Sequence, residues 1–190
     1  MQSLATVQPH RFTIRDYLKM GEVGILTRED RVELIDGQVV KMTPLGNRHR
    51  ASVLRLAELL HRIVPEDITV MIQNGLDIGD HHQVEPDAAL VRVPDDLWDR
   101  PVTPSDCLLV VEVADSSLEV DRQAKLSLYA AAGVPEYWII DLEGRQVEVH
   151  RDPNKDTYDS RTVHGPGEQV TALLVPQVRI PVAHVTPPKD

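Results

Sequence analysis

A mixed α/β fold built on one central sheet is what this chain predicts, and three observations carry the prediction. The stretch Cys107-Leu-Leu-Val-Val-Glu-Val113 is apolar at every position except Glu112 and reads as a buried strand. A helical stretch from about Leu118 to Ala132 follows it, and a second apolar run, Glu136 to Leu142, comes next. Strand, helix, strand in that order is a crossover unit, which packs its helix onto the sheet with right-handed topology. The expectation is a sheet flanked by helices, with an N-terminal hairpin and a C-terminal β-extension.

Each element has a local reason. Thr13 is placed to cap a short helix, Ile14 to Met20, before Gly21. Residues Arg31 to Met42 read as a hairpin around Asp36-Gly37, a two-residue turn that tolerates positive φ. From Arg48 to Val64, apolar residues at Val53, Leu56, Leu60, Ile63 and Val64 recur at helical spacing, and Pro65 ends the helix. Two strands, Ile68 to Ile78 and Gln83 to Val93, are joined by Gly79-Asp80-His81-His82. A polar connection, Pro94 to Asp106, carries Trp98 and leads into the apolar strand. Asp115-Ser-Ser117 caps the next helix, and Gly133 with Pro135 stops it. Glu143-Gly144 turns Glu136 to Leu142 back into Arg145 to Arg151, and strand-like pieces follow at Thr157 to Val163 and Gln169 to Val175. The organisation expected is a single domain over 1–190, with a core of about 13–150 and an extension of about 152–190.

The chain has 190 residues, 42% hydrophobic and 26% charged, in the range of an ordinary globular protein. Its one cysteine, Cys107, falls inside the apolar strand and is expected to be a small core residue. A reducing cytoplasm is the expected compartment, with no membrane span and no signal-like N-terminus. A net charge of −10 argues against nonspecific coating of nucleic acid but leaves a nuclease open. Arg48-His49-Arg50 with Arg55 and Arg62 is either a local basic patch or a solvated helix face.

The chemistry points to two acids. Glu112 stands among valines, and strand alternation puts it on one face with Val110 and Ala114. Asp87 opens its strand after Pro86. Ionised carboxylates are costly in a core unless paired or bound to a cation. If the two strands are neighbours, Asp87 and Glu112 make an oxygen-rich site for a hard divalent ion such as Mg²⁺. For Asp87 the structural alternative is a solvated or capping acid. Asp121, Lys125 and Tyr129 follow at four-residue spacing and line one helix face. Lys125 either pairs with Asp121 or points back towards Glu112. His81 and His82 lack metal-ligand spacing and are expected at the surface, while Tyr137 and Trp138 are expected in the core or an interface.

These residues together resemble the PD-(D/E)XK, restriction-endonuclease-like superfamily, and more closely the Uma-two family. The matching pieces are Val32-Glu-Leu-Ile-Asp-Gly37, His49, Glu85-Pro-Asp87, Val110-Val-Glu-Val113 with Ser116, Asp121-x-x-x-Lys125-x-x-x-Tyr129, and Gly133-Val-Pro-Glu-Tyr-Trp-Ile-Ile-Asp141. The resemblance implies a restriction-endonuclease-like core and an Mg²⁺-dependent endonuclease that hydrolyses nucleic-acid phosphodiesters, DNA in the first place, with Mn²⁺ as a substitute ion. It implies that Asp87 and Glu112 bind the metal, joined by the main-chain carbonyl of Val113. Glu33 matches a family acid that completes the metal shell, and otherwise is a solvent-facing strand residue. His49 matches a family histidine at a helix start, where it is either a phosphate or water contact or, as expected here, a surface or capping residue. The chain departs from the family pattern at Ala114, where a lysine usually stands, so the lysine role passes to Lys125. That departure keeps a second reading open, a catalytically degenerate nucleic-acid-binding or regulatory module. A homodimer is the expected assembly for duplex cleavage, joined through the hairpin Glu136 to Val149 and the C-terminal extension.

Overall fold

The computed structural model describes residues 9–27, 29–42, 44–93 and 95–189. In chain order the elements are α1 (Ile14–Glu22), β1 (Val32–Ile35), β2 (Gln38–Lys41), α2 (Asn47–Ile63), β3 (Thr69–Ile72), β4 (Leu76–Ile78), β5 (His82–Val84), β6 (Ala88–Val91) and β7 (Cys107–Ala114). Then come α3 (Leu118–Val120), a π-helical turn (Asp121–Lys125), α4 (Leu126–Ala131), β8 (Glu136–Asp141), β9 (Gln146–Asn154), β10 (Thr157–His164), β11 (Gln169–Thr171), β12 (Arg179–Pro181) and α5 (Val182–Val185). No described helix is long and apolar enough to cross a membrane. The described residues fall into two compact units, one from those of 9–42 with Asp77–Val84, the other from those of 44–76 with 85–189.

The smaller unit holds a four-stranded sheet in the order β2-β1-β5-β4. Thr13 caps α1 in a reciprocal box with Asp16, as its position predicts. The hairpin turn has positive φ at both central residues, Asp36 (50°) and Gly37 (71°), the mirror-type turn that suits twisted strands. Gly37 is fixed twice over. A Cβ there would lie 2.7 Å from Arg11 Cβ and 2.9 Å from its Cα, because Phe12 N–H donates to Gly37 O at 2.9 Å and draws that segment against the turn. His81 and His82 are half-buried rather than at the surface. His82 Nδ1 accepts the Asp36 N–H at 3.0 Å, and His81 Nδ1 meets Phe12 O at 2.8 Å, so both rings close the hairpin.

The larger unit holds a six-stranded sheet in the order β10-β9-β8-β7-β6-β3. The pair β7–β8 is parallel and bridged by the helical crossover, and the remaining pairs are antiparallel. One face carries Val111, Val113, Trp138, Ile140, Val147 and Val149 into the main apolar core. Helix α2 covers that face through Val53, Leu56 and Leu60, and the C-terminal segment covers it through Val170, Val178, Ile180 and Val185. The opposite face carries Glu112, Ile139 and Glu148 in one cross-strand row and Tyr137 and His150 in the next. Cys107 is buried in β7, as expected, and burial pushes its thiol up to about 12.

Three expected elements differ from what forms. The run Ile68 to Ile78 breaks at Gln73, and Gln83 to Val93 breaks at Glu85-Pro-Asp87, so each yields two short strands in two different sheets. The helix expected over Leu118 to Ala132 is split by the π turn. The apolar side chains of β8 and β9, expected at a dimer contact, are buried within one chain, while Val163, Leu173 and Leu174 of the extension are exposed.

Gly37→Ala is expected to lower stability by about 1–3 kcal/mol in urea unfolding, because strain and backbone contact add. Gly24→Ala, at φ 77° but with open space around the new Cβ, should lose clearly less.

Candidate active site

Asp87 lies one residue before β6, and every hydrogen-bonding atom of its carboxylate is engaged. Val113 N–H donates to Oδ2 at 2.8 Å, His49 Nε2 lies 3.0 Å from the same oxygen, and Gln73 Nε2 donates to Oδ1 at 3.1 Å. An ionised carboxylate only accepts, so His49 Nε2 is the donor. His49 is buried at 6% exposure and its Nδ1 has no partner. This corrects the expected surface or capping histidine: the ring sits at the start of α2 and turns inward onto Asp87.

The bond from Val113 follows from strand geometry. Ala114 O accepts the Leu142 N–H at 2.9 Å and therefore faces β8. Successive residues of a strand point their main-chain groups to opposite sides, so Val113 faces β6. Its N–H reaches Asp87, and its carbonyl leaves the strand on the same side. The register Ala88↔Val111 sets Pro86 across from Val113. Proline has no N–H to offer that carbonyl.

Glu112, 3% exposed, points to the face under the helical crossover. Lys125 Nζ donates to its Oε1 at 2.9 Å, and Tyr129 OH donates to the same oxygen at 2.8 Å. Lys125 is itself buried. A lysine from the crossover, and not one at position 114, reaches Glu112. The first residue of the π turn is held twice: Ser117 Oγ donates to Asp121 Oδ2 at 2.6 Å, and Tyr137 OH donates to Asp121 O at 3.2 Å. Burial, and next the nearby carboxylates Glu112, Asp121 and Asp87, push the Tyr137 phenol well above its ordinary range, so it stays a donor.

A second polar cluster anchors the same turn. Arg122 Nε donates to Glu148 Oε1 at 2.9 Å and Arg161 Nε to Oε2 at 3.2 Å, while His150 Nε2 lies 3.4 Å from Oε2, within ion-pair reach but outside hydrogen-bond geometry. Burial alone would raise the Glu148 carboxyl, but the His150 ring, Arg122 and Arg161 outweigh it and hold the group well below the usual carboxylate range. The chain pattern gave no sign of this cluster, since its members are scattered over the crossover and two strands.

The structure therefore brings Asp87, Val113, Glu112 and Lys125 into one unit, on adjacent strands and the crossover above them. Glu33 belongs to the smaller unit, where it is buried in β1 opposite Val40 rather than facing solvent. The expected basic patch is dispersed. Arg48 donates to Leu142 O at 2.7 Å, Arg62 pairs with Glu58 at 2.6 Å, His49 is buried, and Arg50 and Arg55 are exposed. Gln73 was missed. Its one sequence signal is the Gln73-Asn-Gly75 turn inside an apparent strand.

Among the described residues, no three His, Cys, Asp or Glu side chains gather as a metal-holding group. The larger unit instead offers two carboxylates and a main-chain carbonyl. Carboxylate and carbonyl oxygens are the donor type that a hard divalent cation takes.

The chain matches the Uma2 family, described as "Putative restriction endonuclease", over residues 14–183. Its fold is similar to the crystal structure of "a putative nuclease belonging to DUF820 from Anabaena variabilis ATCC 29413", at a TM-score of 0.70 and 17% identity, covering 92% of this chain and 97% of that one. No curated protein matches it.

Two outcomes are expected. Lys125→Met should destabilise by about 3 kcal/mol, because it leaves a buried carboxylate without its cation. The double variant with Glu112→Gln should lose less than the sum of the single variants in a urea double-mutant cycle. The folded-state Glu148 carboxyl is depressed, so its stabilising contribution is full above the ordinary carboxylate value and is lost as pH falls below it. Stability profiles from pH 7 down to 3 should therefore fall less steeply for Glu148→Gln than for the parent protein.

Proposed function

The chain belongs to the Uma2 family, and from that premise we propose that it is an Mg²⁺-dependent endonuclease that hydrolyses phosphodiesters of DNA. The observation that carries the reading is the joining of Asp87 to the main chain beside Glu112, through the 2.8 Å bond from Val113 N–H, with the Lys125 amine on Glu112 at 2.9 Å. Asp87, Glu112 and the Val113 carbonyl would hold the ion. When bound, such an ion polarises a phosphate and lowers the pKa of an attacking water.

The chain's own residues do the rest. Lys125 supplies positive charge beside Glu112, where negative charge would gather on a reacting phosphate. Tyr129 holds Glu112 in place from the same helical crossover, and His49 and Gln73 hold Asp87. Glu33 joins the reading on the family resemblance alone, as a supporting acid. Cutting both strands of a duplex with one site per chain would take two copies, which makes a homodimer part of the proposal.

Ala114, buried beside Glu112 where the family pattern places lysine, favours the second reading of a nucleic-acid-binding module without activity. Supercoiled and single-stranded DNA incubated with the protein and Mg²⁺ or Mn²⁺ separates the two. Cleavage is expected, and Asp87→Asn or Glu112→Gln should each reduce it by roughly 100-fold or more while circular dichroism stays unchanged. Metal-independent binding without cleavage on every substrate would leave the module reading.

A further inference from the structure

Gln73 combines an unfavourable backbone with a contact to the candidate site. Its φ is 43°, in the left-handed region that glycine and asparagine tolerate and long side chains avoid. It follows β3, whose last residue, Ile72, pairs with Ala88. Gln73 therefore stands across from Asp87, and its N–H donates to Asp87 O at 3.3 Å before the chain leaves the strand. A glycine would make this turn without strain. A glutamine adds only its amide, and that amide donates to Asp87 Oδ1.

The hydrogen bonds of Asp87 give the contact its meaning. A carboxylate oxygen has two lone-pair directions. Oδ2 spends both, on Val113 N–H and on His49. Oδ1 has one taken by Gln73, which leaves, among the described residues, one direction in which Asp87 can accept a cation or a water. Asp87 is 7% exposed, whereas Gln73 lies at the surface. The amide thus approaches from the solvent side and sets where the remaining lone pair points.

We propose that Gln73 is a positioning residue that aims Asp87 Oδ1 at a divalent cation, and that its strained backbone is retained for that contact. The inference rests on the hydrolase reading above. Partners that orient a metal ligand typically change metal affinity or activity by about 10–100-fold when removed.

The test uses Gln73→Gly and Gln73→Asn, which both accept positive φ and neither of which carries the amide to Asp87. In the metal-free protein both should melt within about 5 °C of the parent or above it. Their Mn²⁺ affinity by titration calorimetry should fall by about 10–100-fold, and the Mn²⁺ concentration for half-maximal DNA cleavage should rise to match. The cleavage rate at saturating Mn²⁺ should change much less. Variants that bind Mn²⁺ and cleave like the parent overturn this inference and leave the hydrolase reading standing. Variants that melt more than about 5 °C lower assign Gln73 a structural role and also overturn it. A parent protein that takes up no Mn²⁺ and cuts nothing overturns the hydrolase reading, and this inference with it.

Discussion

The bond from Val113 N–H to Asp87 Oδ2, at 2.8 Å, is the constraint on which the candidate site depends. It is a ladder bond whose acceptor has been exchanged. Where β6 would continue alongside β7, the main chain gives way to Glu85-Pro-Asp87, and a side chain takes the N–H instead. The exchange satisfies a buried donor that an ended strand would leave orphaned. It also places a carboxylate one residue along the chain from Glu112. The two acids stay on separate faces of the local hydrogen-bonding scheme: Asp87 lies in the plane of the ladder, and Glu112 stands perpendicular to it under the crossover.

Each acid has its own way of being tolerated in the interior. Asp87 is held by an amide N–H, a carboxamide and an imidazole. Glu112 is held by an ammonium and a phenol. Glu148, in the same cross-strand row as Glu112, is surrounded by Arg122 and Arg161. Buried charge that is paired adds little net stability, but leaving one partner alone is strongly unfavourable. The polar face of this sheet therefore works as a set of mutual restraints. Arg122 ties the π turn to β9, Tyr137 and Ser117 tie Asp121, and the turn delivers Lys125 and Tyr129 onto one oxygen of Glu112.

Much of this was legible in the sequence, and the exceptions have physical reasons. The turn Asp36-Gly37, the apolar strand β7 and the stop at Gly133 are local signals, and each falls where the residues place it. Glu112 stood out because no other residue of β7 is charged. The break at Gln73 was nearly hidden, because glutamine carries no preference for positive φ and only the adjoining Asn74-Gly75 signals a turn. The π turn was hidden too, since Asp-Arg-Gln-Ala-Lys contains no helix breaker and only tertiary bonds select the wider winding. His49 was misread as a surface residue because polar residues at helix starts are usually solvated. Its partner Asp87 is 38 residues away. The Glu148 cluster joins residues from the crossover and from β9 and β10, which no periodicity relates.

Pro86 ties these observations together. It fixes its own φ, withholds an N–H from the ladder, and restricts the residue before it to extended geometry. A donor-bearing residue at this position would sit across from the Val113 carbonyl and could complete the ladder there. The strand would then run on, and the Asp87 carboxylate would lose its claim on the Val113 N–H. Proline ends the pairing at the one register position where the acid can replace it, and it leaves the carbonyl beside that acid without a ladder donor from β6. The Glu-Pro-Asp sequence is thus more than a place to put an aspartate: it creates the gap in the hydrogen-bond ladder that the aspartate fills.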